Sequence, residues 1–318
     1  MNCMNLTRSI KMKNNKNIIR IGTRGSALAL WQAEYIRQLL LKLTSIQEAE
    51  IVKIATEGDR DQASSLTVIG GQGVFTKAIE EALLKNEVDM AVHSLKDLPS
   101  SLDDRLQLAA VPQRASAADV LITLDGRDLN TLPLKATLGS GSLRRRSQLL
   151  HKRNDLILRD LRGNIDTRLT KLRSGMFDGI IMAEAALQRL QITGVSYHKF
   201  SPDEMVPAVG QGAIGVEIRK ADEEIFKCVT PVNDFNSFSA VRAERAFLQR
   251  LDSGCQFPVG AYAVCEGDRL AITGFAASED GETLIKAHLT GSMSDPETCG
   301  IQLAEYLITK GAKALLDK

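Results

Sequence analysis

Strand-like and helix-like hydrophobic patterns alternate along the first two thirds of this chain, and then the alternation stops. The β-branched run Asn17–Gly22 precedes Ala27–Leu43, which has apolar residues at helical spacing. Similar pairs of segments continue as far as Gly179–Ala183. This alternation is typical of parallel sheets covered by crossover helices. We therefore expect α/β architecture here, and the chain's 318 residues suggest more than one domain.

The pattern differs after about residue 230. A helix is expected at Ser239–Leu251, and a closing helix at Pro296–Thr309. Between them lie the strand-like runs Val259–Cys265, Arg269–Ala276 and Thr283–Leu289, separated by turns that contain Gly and Asp. Consecutive strands with such turns predict an antiparallel meander. The predicted plan is two α/β units followed by a smaller α+β unit with a three-stranded antiparallel sheet.

Composition excludes several classes of protein. The 40 Lys and Arg nearly balance the 39 Asp and Glu, so no overall basic field exists to attract nucleic acid. No apolar run approaches the roughly 18 residues that span a bilayer. Five scattered cysteines without a C-x-x-C pair, and four histidines, suggest neither a disulfide framework nor a metal site. Ile10–Asn17 is polar where a signal peptide needs an apolar segment, so we expect residues 1–16 to form a solvated tail on a cytoplasmic protein.

An arginine-rich stretch runs from Arg144 to Arg173. It contains ten Lys and Arg against three Asp, an excess of seven positive charges in a nearly neutral chain. It follows Gly139-Ser140-Gly141-Ser142, a predicted strand-to-helix turn whose backbone N–H groups can bind an anion. Arg162 precedes a second such turn. The stretch predicts a site for a polyanion, with a solvated helix face as the alternative.

Two further segments carry candidate chemistry. His93, Ser94, Lys96 and Asp97 end an apolar strand, where α/β proteins place active sites; Asp97 as a simple loop cap is the alternative. Lys96 would keep the Asp97 carboxylate ionised, which suits stabilisation of a cation.

Cys255 is the second candidate. It lies in a predicted turn that offers a route for alkylation, and a buried free thiol is the alternative.

The order of these features resembles the porphobilinogen deaminase family. The resemblance extends from about residue 17 to the C-terminus, and six ordered motifs carry it: Ile21–Ala33, Ala91–Asp97, Ser142–Arg145, Leu161–Asn164, Val209–Ala213 and Gly254–Pro258. It implies a transferase that condenses four porphobilinogen molecules, with loss of ammonia, into the linear tetrapyrrole hydroxymethylbilane. It also implies a dipyrromethane cofactor joined by a thioether to Cys255, and a monomer.

The resemblance implies three domains, the first two like the lobes of bacterial solute-binding proteins. The expected boundaries are 17–112 with 207–230 for the first domain, 113–206 for the second and 231–318 for the third, after a tail at 1–16. Among site residues, Asp97, Lys96 and Arg24 are expected to be catalytic. Cofactor binding is expected from Cys255, Ser26, Lys96, Asp97, Ser142, Arg144, Arg145, Arg162 and Arg168. Substrate binding is expected from Arg24, Arg162, Arg168 and Gln211, with no metal.

Two positions depart from the family pattern: Gln72 stands where Lys is common, and Ser140-Gly141 where two hydroxyl residues are common. Both weaken single contacts and leave the resemblance intact. The main competing hypothesis is a non-catalytic two-lobed anion-binding protein, because a fold does not determine a function. A nucleic-acid-binding module is disfavoured by the near-zero net charge and by an aromatic content of 4%.

Overall fold

The computed structural model describes residues 18–56, 58, 73, 75–252 and 257–316. Within these ranges the strands are β1 (Ile18–Thr23), β2 (Glu48–Lys53), β3 (Met90–Ser94), β4 (Leu106–Ala110), β5 (Asp119–Ile122), β6 (Thr137–Gly139), β7 (Ile157–Arg159), β8 (Gly179–Ala183), β9 (Tyr197–Lys199), β10 (Ile214–Arg219), β11 (Val259–Glu266), β12 (Arg269–Ala277) and β13 (Leu284–Ser292). The helices are α1 (Ala27–Leu43), α2 (Lys77–Leu84), α3 (Leu143–Lys152), α4 (Ile165–Arg173), α5 (Glu184–Arg189), α6 (Glu223–Val229), α7 (Phe235–Arg250), α8 (Pro296–Thr309) and α9 (Ala312–Leu316).

The strands form three sheets, which confirms two α/β units and a smaller α+β unit. The first sheet has the order β2-β1-β3-β10-β4, the second β7-β6-β8-β5-β9 and the third β11-β12-β13. The third sheet is antiparallel throughout, as the meander predicted. The chain therefore leaves the first sheet after β4, builds the second, and returns to the first with β10.

The first two sheets are mixed, whereas the sequence pattern led us to expect parallel ones. Strand β10 pairs antiparallel with both β3 and β4, and β5 pairs antiparallel with β8 and β9. The physical reason is the route of the chain. Strand β10 comes back from the second unit through a connection without a crossover helix, so it enters the first sheet from the opposite end.

Helix α1 shows how the first unit is held together. Its N-terminus is capped by Ser26, whose hydroxyl oxygen accepts a hydrogen bond from the Ala29 N–H at 3.3 Å. The apolar stripe of the helix buries Ala33, Ile36 and Leu40 against strands of the first sheet. The third sheet is covered in the same way by α7 and α8, which bury Phe247 and Leu303. The Ser26 cap and the packing of α1 together fix the position of the loop after β1, which carries Arg24 and Ser26.

Within the described residues, no helix is long and apolar enough to cross a membrane.

Candidate active site

The carboxyl ends of β1 and β3 meet at one edge of the first sheet. Arg24 and Ser26 follow β1, and the turn Leu95–Asp97 follows β3 as a short 3₁₀ helix. A small pocket at this edge is lined by Arg24, Ser26, Leu28, Ala29, Gln32, Phe75, Thr76, Val92, His93, Ser94 and Asp97. The guanidinium carbon of Arg24 lies 4.1 Å from the centre of the Phe75 ring, a cation–π contact that orients it. The structure thus brings three predicted site residues together.

The turn that carries Lys96 and Asp97 is fixed at its start. The Leu95 N–H donates to the Ala213 carbonyl oxygen at 3.1 Å, and the Gln32 amide donates to the Ser94 hydroxyl oxygen at 2.8 Å. Burial and the positive charges of Arg145 and Arg144 lower the pKa of Lys96 to about 8, against the opposing effects of Asp97 and Asp119. Because Arg145 belongs to the second unit, Lys96 faces that unit across the cleft.

Arg144 and Arg145 lie in the first turn of α3, after the Gly139–Ser142 turn, as the sequence predicted. Both are buried against one carboxylate: Asp119 Oδ2 is 2.8 Å from Arg144 Nη1, and Asp119 Oδ1 is 2.7 Å from Arg145 Nη2. Burial alone would raise the pKa of Asp119, but the two guanidinium charges hold it well below its usual range. These arginines therefore already have a counter-ion within the protein.

Gln211, which the resemblance assigns to substrate binding, is almost fully buried, with only 1% of its surface exposed. Its amide donates to the Ala117 carbonyl oxygen at 2.7 Å and to Asp119 Oδ1 at 2.9 Å. Its side-chain oxygen accepts from Arg145 at 3.4 Å. The residue thus ties the connection that returns to β10 to the connection that leads into β5.

Arg162 and Arg168 follow β7, the neighbour of β6 in the second sheet, just as α3 follows β6. Arg162 follows β7, and Arg168 in α4 donates from Nε to the Gly163 carbonyl oxygen at 2.8 Å. Burial and the charges of Arg145 and Arg162 lower the pKa of Arg168 to about 10. In the part of the chain that the structure describes, neither of these two guanidinium groups forms an ion pair with a carboxylate. This wall has cations that an anionic ligand can pair with.

Ser142 directly precedes α3 and is partly exposed. A Cβ added at the neighbouring Gly141 would lie 3.3 Å from the Leu161 carbonyl oxygen, so a serine there requires a small shift. Cys255 and Gln72 lie outside the described residues, as does the tail at 1–16.

Three important charged residues were missed in the sequence. Asp119 and Glu244 are buried, Arg114 is partly buried, and Arg114 pairs with Glu244 through both terminal guanidinium nitrogens. One signal was available for Asp119, which opens the apolar strand Asp119–Ile122. An acid at that position needs a buried cationic partner. Nothing in the sequence pairs Arg114 with a residue 130 positions away.

The geometry defines an anion-binding cleft between two α/β units, with a carboxylate on one wall and cations on both. Within the described residues no group of three or more His, Cys, Asp or Glu could hold a metal ion. A ligand with several carboxylates fits this cleft, because burial and the neighbouring cations lower the pKa of Arg168 and Lys96, and bound anions would stabilise their charged forms.

Comparisons with known proteins agree with the motifs. Residues 19–227 match a family described as porphobilinogen deaminase, dipyrromethane cofactor binding domain, and residues 238–309 match the porphobilinogen deaminase C-terminal domain. The porphobilinogen deaminase of Syntrophotalea carbinolica is 44% identical over 302 residues, covering 95% of this chain and 96% of the relative. That of Roseiflexus castenholzii is 45% identical over 301 residues, covering 95% and 99%.

Solved structures show a weaker likeness. The periplasmic VFT2 domain of BvgS from Bordetella pertussis aligns with a TM-score of 0.39 at 12% identity, covering 68% of this chain and 86% of that domain. A periplasmic binding protein with high arginine specificity from Salmonella typhimurium aligns with a TM-score of 0.37 at 12% identity, covering 68% and 91%. TM-scores this low support no inference about this chain.

The family matches identify a transferase of the tetrapyrrole pathway that uses a dipyrromethane cofactor, and the cleft is consistent with that class. The chain belongs to the porphobilinogen deaminase family. A non-catalytic anion-binding role is not favoured by this membership.

Proposed function

We propose that the cleft between the Leu95–Asp97 turn and the Arg162–Arg168 wall is where four porphobilinogen molecules are joined into hydroxymethylbilane. One observation carries this assignment: among the described residues the Arg162 and Arg168 guanidinium groups of this wall form no ion pair with a carboxylate, and Arg168 is held in place by its hydrogen bond to the Gly163 carbonyl oxygen. Burial and the neighbouring cations also lower the pKa of Arg168 to about 10. Cations that repel each other in a partly buried cleft are stabilised by bound carboxylates. Each porphobilinogen brings an acetate and a propionate, so a growing chain of pyrroles supplies the counter-charges.

Asp97 is proposed as the catalytic carboxylate. Loss of ammonia from the substrate leaves a cation on its pyrrole, and a fixed carboxylate beside that cation lowers the energy of the transition state. Asp97 lines the pocket with Arg24 and Ser26, which supports this role. Arg24 and Lys96 would hold the substrate carboxylates near Asp97, so that the aminomethyl group is directed toward it.

The dipyrromethane cofactor supplies the pyrrole end to which the first substrate is joined. We propose that it is attached to Cys255 and that its carboxylates are held by a set of polar residues from both walls: Ser26, Lys96, Ser142, Arg144, Arg145, Arg162 and Arg168. Arg162, Arg168 and Gln211 are further proposed for the substrate. The contacts of Arg145 and Gln211 with Asp119 also fix the shape of this wall.

The domain boundaries expected from the resemblance are kept as part of the proposal. Support comes from β10, which lies in 207–230 and completes the first sheet. The monomeric state and the cytoplasmic location also remain predictions, and sedimentation and cell fractionation would test them.

Ammonia release tests the proposed function directly. Purified protein incubated with porphobilinogen should release four ammonia molecules for each hydroxymethylbilane, and Asp97→Asn protein should release ammonia much more slowly. Intact-mass measurement should show an excess of two linked pyrroles on the protein as purified. Binding of porphobilinogen without ammonia release would contradict the proposal and support the anion-binding alternative.

A further inference from the structure

Helix α7 of the third unit holds the segment that follows Asp97 in the first unit. The guanidinium of Arg245 donates to three consecutive backbone carbonyl oxygens, those of Leu98 at 3.3 Å, Pro99 at 2.5 Å and Ser100 at 3.1 Å. Charged donors form the stronger hydrogen bonds in proteins, and a planar group with several donors fixes orientation as well as distance. Arg245 therefore fixes the path of the chain directly after Asp97.

A second side chain of the same helix supports this contact. Gln249, four residues after Arg245, donates from Nε2 to the Ser101 hydroxyl oxygen at 3.2 Å. Residues four apart lie on the same face of a helix. One face of α7 thus contacts four consecutive residues after the Leu95–Asp97 turn.

The residue before Arg245 reaches the other end of the turn. Glu244 Oε2 accepts from the Gly210 N–H at 2.7 Å, and the carboxylate is fully buried. Gly210 has a φ of +70°, and a Cβ there would lie 3.1 Å from Leu95 Cγ and 3.2 Å from the Leu95 carbonyl carbon. The backbone at Gly210 therefore packs directly on Leu95, and α7 holds the turn from both sides.

The same helix leads into the connection that contains Cys255. Helix α7 ends at Arg250, and β11 begins at Val259, so Cys255 lies between these two elements in the sequence. Glu244 Oε1 also accepts from the Ala263 N–H of β11 at 2.8 Å. The two elements that flank the connection are thus tied to each other and to the Leu95–Asp97 turn.

We propose that Arg245, supported by Glu244 and Gln249, is a positioning residue that fixes Asp97 relative to α7 and β11, the two described elements that precede and follow Cys255 in the sequence. The proposal rests on the proposed function, in which Asp97 acts on pyrroles attached at Cys255. A shift of about 1 Å in such an alignment lowers a rate by about a hundredfold, even when every reacting group is present.

Arg245→Met tests the proposal, because it keeps the aliphatic stem and removes the three hydrogen bonds. We expect kcat to fall at least about tenfold, with the KM for porphobilinogen and the two-pyrrole mass excess unchanged. Hydrogen exchange of the backbone amides in 94–102 should become faster, which is a measurement independent of activity. Arg245→Lys should restore part of both, since an ammonium can still donate to one or two of the carbonyls.

Arg242→Met is the matched control. Arg242 lies one turn earlier on α7 and pairs with Glu297 of α8 inside the third unit. Among the described residues it has no hydrogen bond or ion pair to 98–101, the segment that Arg245 and Gln249 contact. It should keep wild-type kcat and wild-type exchange in 94–102. Equal losses in Arg242→Met and Arg245→Met would overturn the proposal, as would unchanged kcat or unchanged exchange in Arg245→Met. If Arg245→Met does not fold, Arg245→Lys must show the lowered kcat with a normal KM, or the proposal is wrong.

Wild-type measurements separate this proposal from the proposed function. If the wild-type protein lacks the pyrroles or forms no hydroxymethylbilane, the proposed function has failed. The comparison of exchange in 94–102 among the variants then still decides whether Arg245 fixes the segment after Asp97. If the wild-type protein is loaded and active, a negative result with Arg245→Met overturns the positioning role alone.

Discussion

Asp119 Oδ1 accepts two hydrogen bonds from one side chain, from Arg145 Nε at 2.9 Å and from Arg145 Nη2 at 2.7 Å, in the interior of the protein. Arg145 also donates from Nη1 to the Ile181 carbonyl oxygen at 3.2 Å. The N–H groups of the Arg145 guanidinium are thus used mainly in hydrogen bonds within the protein. The positive charge of Arg145 still acts on the cleft, since it adds to burial in lowering the pKa of both Lys96 and Arg168.

Asp119→Asn should strongly destabilise the protein at pH 7. Removing one member of a buried ion pair leaves its partner charged and unpaired, at a cost of about 3–5 kcal/mol. The pKa of Asp119 is held far below its usual range, so its stabilising effect is present above about pH 4 and is lost as the pH falls further. Urea denaturation over a pH series should show the difference between variant and wild type shrinking below about pH 4.

Asp103→Asn provides the comparison for that measurement. Arg105 pairs with Asp103 at the surface and lowers the pKa of its carboxyl in the same direction. Exposed pairs contribute little to stability, so this variant should unfold nearly as wild type does. If both variants lose a similar amount of unfolding free energy, burial of Asp119 does not account for its contribution to stability.

Lys96 should give substrate binding a specific pH dependence. Its pKa is lowered to about 8, so in the free protein it loses its charge as the pH rises above that value. The KM for porphobilinogen should therefore rise between about pH 8 and 9.5 in the wild type. Lys96→Met should have about a tenfold higher KM at pH 7, because a charged hydrogen bond is lost, and a smaller rise above pH 8.

Comparing wild type with Lys96→Met separates the effect of Lys96 on KM from the effect of titrating the substrate's own amine. A KM that rises equally in wild type and Lys96→Met would assign the pH dependence to the substrate.

Much of the fold could be predicted from periodicity. Helices α1 and α8 begin and end at the predicted residues, because each has a clear apolar stripe and capping residues. Helix α7 begins four residues earlier than predicted, at Phe235, because the Asp234 carboxylate caps it by accepting from the Ser237 N–H at 2.8 Å. Strand β9, of three residues, and helix α5, of six, were not predicted, because neither shows a clear apolar period.

The candidate site was predictable only in part. The strand ends and strand-to-helix turns correctly placed Asp97, Arg144 and Arg162 at sheet edges. The direction of β10 was not predictable, because it depends on the route of the chain through the second unit. The Arg245 contact joins residues 145 to 147 positions apart, and no local pattern marks it. Such long-range hydrogen bonds are visible only once the units are packed together.

Asp97→Asn should separate folding from catalysis. An amide keeps the size of the side chain but cannot stabilise a cation or accept a proton, so turnover should fall at least about a hundredfold. The melting temperature should stay near that of the wild type, because Asp97 is only partly buried. The rate must be measured on protein whose two-pyrrole mass excess is verified. A rate near wild type in that loaded protein would remove Asp97 from the catalytic role.

Cys255→Ser tests the attachment of the cofactor, because a thioether requires a thiol. Serine is similar in size but a much weaker nucleophile, so the variant should fold and lack the two-pyrrole mass excess. Burial raises the pKa of the Cys228, Cys265 and Cys299 thiols, which disfavours the reactive thiolate at each of them. Serine at any of these three should therefore leave the adduct in place. Peptide mapping of wild-type protein should locate the adduct at Cys255, and an adduct on another cysteine would overturn both the attachment site and the positioning argument that depends on it.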